Sequence, residues 1–318
     1  MFIEQAFKGK YHNWLYYAVG VLVIFMAWQF FGAIPLFAAV FLKVPDMSTF
    51  PTDISGLVEV LGANLFLVLM IVSFLTGLLA LFFMVKYVHK QSLLTLTTSR
   101  KHIDRKRIFF SFGLVVIINA TLFLIGYFLS PQDFQWNFKP LPFLMLLVIT
   151  VIMLPIQTSF EEYLFRGYLM QGLGVLAKNR WFPLIFTSIS FGILHIFNPE
   201  VKEIGYVIMV YYIGTGLILG IMTLMDDGME LALGYHAGNN MLTAVLVTAD
   251  WTAMQTDSLF LDISSPEVGF DIFLPLLIYP IILYILAKKY GWTGWKEKLF
   301  GKITPPGQIE ESNSLKHN

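Results

Sequence analysis

The chain has 318 residues and no cysteine. That excludes disulfides, thiolate metal sites and cysteine nucleophiles together. Charge is nearly as scarce. Asp, Glu, Lys and Arg make up 13% of the residues, where a soluble chain carries about 25%. So few charges cannot cover a water-facing surface, and 57% of the residues are hydrophobic. The formal net charge is zero, so there is no electrostatic case for nucleic acid as a partner. There is no low-complexity tract and no convincing internal repeat. What is present in quantity is long apolar sequence, which makes the bilayer the solvent for most of this chain.

A membrane-spanning helix needs about 20 mostly apolar residues. Eight segments qualify, near 14–42, 57–85, 108–130, 142–174, 182–197, 204–225, 229–248 and 271–288. The first is too long for a signal-peptide core of roughly 7–15 residues and reads as a retained helix. The fold class expected is all-α, a polytopic transmembrane bundle of about eight helices. Residues 1–141 hold three N-terminal spans and 142–250 a four-span core. An outside loop and the last span fill 251–300, and a polar, Pro- and Gly-containing cytoplasmic tail, expected to be disordered, fills 301–318. Of the 21 basic residues, 17 fall in segments that an eight-span count puts at one end. Only Lys43, Lys139 and Lys202 fall at the other. The positive-inside rule then predicts that both termini are cytoplasmic. The acidic stretch 249–270, without Lys or Arg, fits the outer side. The basic loop from Lys86 to Arg107 reads as this topology signal and a contact to anionic lipid. Gly216 with Gly220, and Gly234 with Gly238, form GxxxG pairs, read as close-packing faces. No eukaryotic targeting signal is evident, so the expected location is a bacterial cytoplasmic membrane.

Within the spans, ionisable residues away from the ends are Glu161, Glu162, Arg166, His195 and His236. A charge at mid-bilayer costs roughly 2.5–3.5 kcal/mol on insertion scales, so such residues point to a function or to an ion-pair network binding helices together. Glu162 and Arg166 are four apart and can pair along one helix face. Glu161 is turned ~100° from Glu162, leaving it free for chemistry. Depth gives a second argument. Glu161 precedes the middle of the basic turn at Lys178–Arg180 by 17–18 residues, and His195 follows it by 16. His236 and Asn240 lie ~13 and ~19 Å beyond the next turn at 1.5 Å per residue. All four therefore fit one layer of the bundle.

Glu161, Glu162 and Arg166 read as EExxxR; Phe191 and His195 read as FxxxH; His236 and Asn240 read as HxxxN. This ordered set over about 155–245 resembles the CPBP family of intramembrane proteases, also called abortive-infection or CAAX-protease-like, which includes the type II CAAX prenyl endopeptidases. The resemblance implies that Glu161 acts on a nucleophilic water and that His195 helps hold it. It implies that His236 and Asn240 stabilise the oxyanion, and that Glu162, Arg166 and Phe191 support them. It also implies a catalytic cavity opening toward the cytosol.

Hydrolysis by water needs a base, an acid for the leaving amine and donors for the oxyanion, and these residue types supply all three. His236 and Asn240, at i and i+4, can donate toward one oxygen. Glu161, His195 and His236 also make a His₂Glu set, a known catalytic zinc arrangement. No HExxH helix is present, which favours a metal-free glutamate protease and leaves zinc as the alternative. The function expected is an intramembrane endopeptidase acting on a membrane-associated peptide, with membrane lipid as the other partner. Alternatives are a non-catalytic scaffold or immunity protein keeping the fold, and a proton-coupled transporter using the Glu/His pair. His12, His89 and His102 read as solvated surface histidines. Asn239 reads as a packing or helix–helix hydrogen-bonding residue. The substrate and the oligomeric state are not legible from the sequence.

Overall fold

The computed structural model describes residues 1–269 and 272–305. The protein is an all-α, polytopic membrane bundle. Among the described residues, five helices are long and apolar enough to cross a bilayer. They are α1 (Trp14–Lys43), α2 (Ala63–Val88), α3 (Arg105–Leu129), α4 (Pro140–Ala177) and α6 (Tyr206–Asp226). Three shorter helices complete the set of eight anticipated: α5 (Trp181–Ile193), α7 (Glu230–Leu246) and α8 (Leu274–Tyr290).

Differences from the expected spans have local causes. The second was expected to start near 57. Instead a short helix, Ile54–Leu61, is cut from α2 at Gly62, whose φ of 82° only glycine adopts freely. The fifth was expected to reach 197, yet α5 stops at Ile193. Asn198 precedes Pro199, and a residue before proline avoids the α conformation; Pro199 then opens a new short helix, Pro199–Ile204. A three-stranded sheet, unforeseen in an all-α reading, joins the α3–α4 connection to the α7–α8 connection. It consists of β1 (Phe134–Trp136), β2 (Val247–Thr248) and β3 (Phe260–Asp262), in the order β1-β3-β2. Phe134 pairs with Asp262 in the antiparallel β1–β3 register.

The bundle has two chemically distinct ends. At the basic end, the N-terminal turn Ile3–Lys8 packs under the helices. Phe2 and Ile3 are fully buried, and the Phe2 amide donates to Asp227 Oδ1 at 3.0 Å. Arg180 pairs with Glu4. Arg100 bridges Asp226 and Glu230 at 2.9 and 3.0 Å. The segment expected to trail free from 301 is docked at its start: Ile303 is buried and its amide donates to the Lys178 carbonyl at 3.0 Å. Residues 306–318 of that tail lie outside the described residues. Both terminal segments thus sit at one end. At the opposite end, Asn64 donates to Asp257 Oδ2 at 3.0 Å, and Ser55 donates to the Asp250 carbonyl at 3.1 Å.

His89 corrects its reading as a solvated residue. It is buried, with Nδ1 on the Tyr11 carbonyl at 2.7 Å and Nε2 on Tyr168 Oη at 2.8 Å. It ties the N-terminal segment to α4. Burial holds its pKa below the ordinary value of 6.5. A depressed histidine pKa means the neutral form is the folded one, so its stabilisation is present above that ordinary value and lost as pH falls through the lowered one. Thermal unfolding in detergent is expected to show stability falling on acidification below about 6.5, with His89→Gln giving a shallower fall.

The GxxxG pairs are packing faces. A Cβ on Gly216 would lie 2.7 Å from the Ser188 carbonyl oxygen of α5, and one on Gly234 would lie 2.0 Å from the Ile108 carbonyl oxygen of α3. The obstacle in each case is backbone, which cannot swing aside. Gly234→Val is expected to cost at least the ~1–3 kcal/mol of core overpacking, seen as a lower unfolding midpoint in detergent; an unchanged midpoint would contradict the contact.

Candidate active site

The site is built on α4. Pro155 interrupts this helix and removes one backbone donor. The Thr158 hydroxyl turns back to the Leu154 carbonyl at 3.2 Å. Directly after Glu162 the helix widens into a π turn, Tyr163–Leu169. Proline kinks and π bulges both re-aim side chains, and here they bracket Glu161 and Glu162.

Glu162 and Arg166 form the anticipated pair, with Nη1 to Oε1 at 2.8 Å and both side chains 0% exposed. The guanidinium is further held by the Gly216 carbonyl, which accepts from Nη2 at 3.1 Å. The Phe191 ring lies 4.4 Å from its central carbon, a cation–π contact. The same Glu162 Oε1 takes a second partner, His236 Nδ1, at 2.8 Å. A carboxylate already bound to a guanidinium is an acceptor, so Nδ1 carries the proton. The other ring nitrogen, Nε2, is 3.4 Å from Glu161 Oε2. His236 therefore stands between two carboxylates. One is fixed by Arg166; the other, Glu161, has no cationic partner besides this ring among the described residues.

His195 is held differently. Its Nδ1 donates to the Phe191 carbonyl at 2.9 Å, which leaves Nε2 as the acceptor of the neutral ring. The ring stacks on Tyr212 at 4.2 Å and 17°. Tyr212 in turn donates to Glu200, which also accepts from Asn198 at 2.9 Å and from the Ala253 amide at 2.9 Å. Asn240 belongs to an amide chain. Asn119 donates to Asn239 at 2.8 Å, Asn239 to Asn240 at 3.0 Å, and Asn240 Nδ2 to Gln157 Oε1 at 3.2 Å. Asn239 thus makes the helix–helix bond anticipated for it.

Glu161, His195, His236 and Asn240 all line one cavity of about 790 Å³. The four residues expected from turn distances to lie together thus share one cavity. Two details differ from expectation. His236 and Asn240 do not aim at a common point: His236 Nε2 is turned to Glu161 and Asn240 Nδ2 to Gln157, both on α4. The His₂Glu set also does not converge. Among the described residues, no group of three or more His, Asp or Glu side chains is disposed to hold a metal ion. His236 directs one nitrogen to each carboxylate, and His195 is held on the Phe191 carbonyl and against Tyr212. As arranged, these donors do not fit a zinc site.

Gln157, Tyr212 and Glu200 line the cavity and escaped the sequence reading. Gln157 had a signal: it lies one helical turn before Glu161. Glu200 had a weaker one, as an acidic residue five positions after His195.

Residues 139–242, which include every one of these motifs, match the family model "Type II CAAX prenyl endopeptidase Rce1-like". Over those residues the chain is similar to that family. Its long apolar helices make it an integral, multi-pass membrane protein. The chain is also 32% identical over 165 residues to "Uncharacterized protein YyaK" of Bacillus subtilis, a match covering 52% of this chain. That match spans 55% of the length of YyaK. No solved structure matches the chain. The matched residues run from the start of α4 into α7, so α1–α3 and α8 lie outside the match.

If Glu162 exists to neutralise Arg166, breaking the pair must cost more than replacing it. Arg166→Met is expected to destabilise the protein by ~3–5 kcal/mol, the cost of orphaning a buried charge. Adding Glu162→Gln should recover much of that loss in the same unfolding assay. Equal destabilisation of single and double variants would contradict the pairing.

Proposed function

We propose that this protein is an intramembrane endopeptidase of a bacterial cytoplasmic membrane, hydrolysing a peptide bond in a membrane-associated substrate without a metal. The observation that carries the reading is His236 between Arg166-held Glu162 and cavity-facing Glu161. The ring has one nitrogen committed as donor and one free to exchange a proton with Glu161. The Rce1-like match over the same residues supports it.

In this mechanism, a water bound between Glu161 and His195 Nε2 gives a proton to Glu161. Its oxygen attacks the peptide carbonyl carbon, and the carbonyl electron pair moves onto the oxygen. Asn240 Nδ2, released from Gln157, donates to that oxyanion. Glu161, with His236 Nε2 sharing its proton, delivers it to the departing amine, and the C–N bond breaks. Glu162 and Arg166 fix the tautomer of His236 and do not touch substrate. The water-excluding walls, among them Trp28, Phe74 and Phe191, strengthen each of these polar contacts by lowering the local dielectric.

Glu161→Gln keeps the size of the side chain and removes the base. It is expected to cut turnover ~100–10,000-fold while leaving the fold intact. Asn240→Ala is expected to cost ~100–1000-fold. The readout is the set of peptide termini in membranes of cells carrying each form at equal expression. Termini that persist in Glu161→Gln, with the variant still complementing a deletion phenotype, would move the assignment to a non-catalytic scaffold or immunity protein.

A further inference from the structure

The cavity reaches only one end of the bundle. Its lining includes Asn198, Thr252 and Asp262, from the segments that join helices at the sheet-bearing end. No lining residue comes from the basic-end segments 1–13, 86–104, 178–180, 226–229 or 288–305. By the charge asymmetry, the end into which the cavity opens is the extracytoplasmic one. That is opposite to the cytosolic opening implied by the family resemblance.

The cavity also has a gap in its wall. α5 is 13 residues long, ~20 Å at 1.5 Å per residue, against a hydrocarbon layer of about 30 Å. At and beyond its end, Ile193 and Phe197 are 51% and 93% exposed, and both line the cavity. Phe25 and Gln29 of α1 line it as well. The missing outer third of α5 leaves a position in the bundle wall, rimmed by apolar side chains, through which a membrane-inserted chain can reach Glu161 sideways. The electrostatics of the lining add a restriction. It holds Glu161, Glu200 and Asp262 and, among the described residues, no Lys or Arg. A free C-terminal carboxylate would enter beside three acidic groups with no cation to receive it, and like-charge juxtaposition is a strong bar to binding.

We propose, resting on the hydrolytic reading of the site, that the substrate is an internal apolar segment of a membrane-inserted peptide. It enters from the lipid through the gap beyond α5, in the leaflet opposite the basic end. A free C-terminal tail offered at the basic face is excluded as substrate.

The absence of native cysteine makes the geometry directly measurable. Thr252→Cys and, as a control at the basic end, Lys101→Cys are treated in intact cells with a membrane-impermeant maleimide. Thr252→Cys is expected to react at least tenfold faster than Lys101→Cys, which should react fully only after permeabilisation. The reverse pattern would overturn the proposal by placing the cavity mouth in the cytoplasm. The substrate class is read from termini in membranes of cells with the native protein and with Glu161→Gln. Glu161-dependent termini should fall within hydrophobic segments or on their extracytoplasmic flank. Termini within a few residues of protein C-termini would overturn the substrate assignment. If no terminus depends on Glu161, the hydrolytic reading fails and the substrate class with it, whereas the labelling still decides which end the cavity faces.

Discussion

Arg166 is a guanidinium with no exposed surface in the middle of a membrane bundle, and such a group must be neutralised where it sits. Leaving it unpaired would cost several kcal/mol. The surrounding structure answers that demand. Glu162 takes one arm of the fork and the Gly216 carbonyl of α6 the other, while the Phe191 ring covers its face. Three elements are thereby pinned to one point. Because Glu162 Oε1 accepts from both Arg166 and His236, the neutralised pair also sets which nitrogen of His236 carries the proton. The cavity-facing half of the site is thus oriented by its buried half. Glu161, one residue along the chain, is left facing the cavity with the remaining nitrogen as its neighbour.

Packing elsewhere serves this geometry. Glycines on α6 and α7 let α5 and α3 approach until backbone meets backbone, which fixes the depth of His195 and His236 relative to α4. The amide chain from Asn119 through Asn239 and Asn240 to Gln157 crosses three helices at the same level. Tyr212, stacked on His195 and bonded to Glu200, braces the other wall. Thus His195, His236 and Asn240 are each held by a partner behind them, the arrangement expected of a preorganised polar site.

The readable parts of the sequence were those governed by helix periodicity and by the scarcity of charge. The Glu162–Arg166 pair follows from a spacing of four, and the common layer of Glu161, His195, His236 and Asn240 follows from counting residues to the basic turns. The packing role of the glycine pairs was legible for the same reason. What escaped depends on contacts between segments distant in sequence. His89 sits in a run of charged residues and yet is buried, because Tyr11 and Tyr168 close over it. Phe2 and Ile3 precede the first span and yet enter the core. The early end of α5 was signalled by Asn198 before Pro199, but a hydropathy reading passed over it. The rotation of His236 Nε2 toward Glu161, away from a shared point with Asn240, required side-chain geometry that spacing alone does not contain.

The most direct measurement is the tautomeric state of His236, read by nitrogen NMR of ¹⁵N-histidine-labelled protein in bilayers, with His236→Gln assigning the signal. The account predicts a proton on Nδ1, strongly hydrogen-bonded to Glu162, and an Nε2 resonance that shifts when Glu161 is replaced by Gln. A neutral His236 protonated on Nε2, with Nδ1 unprotonated and insensitive to Glu162→Gln, would contradict it.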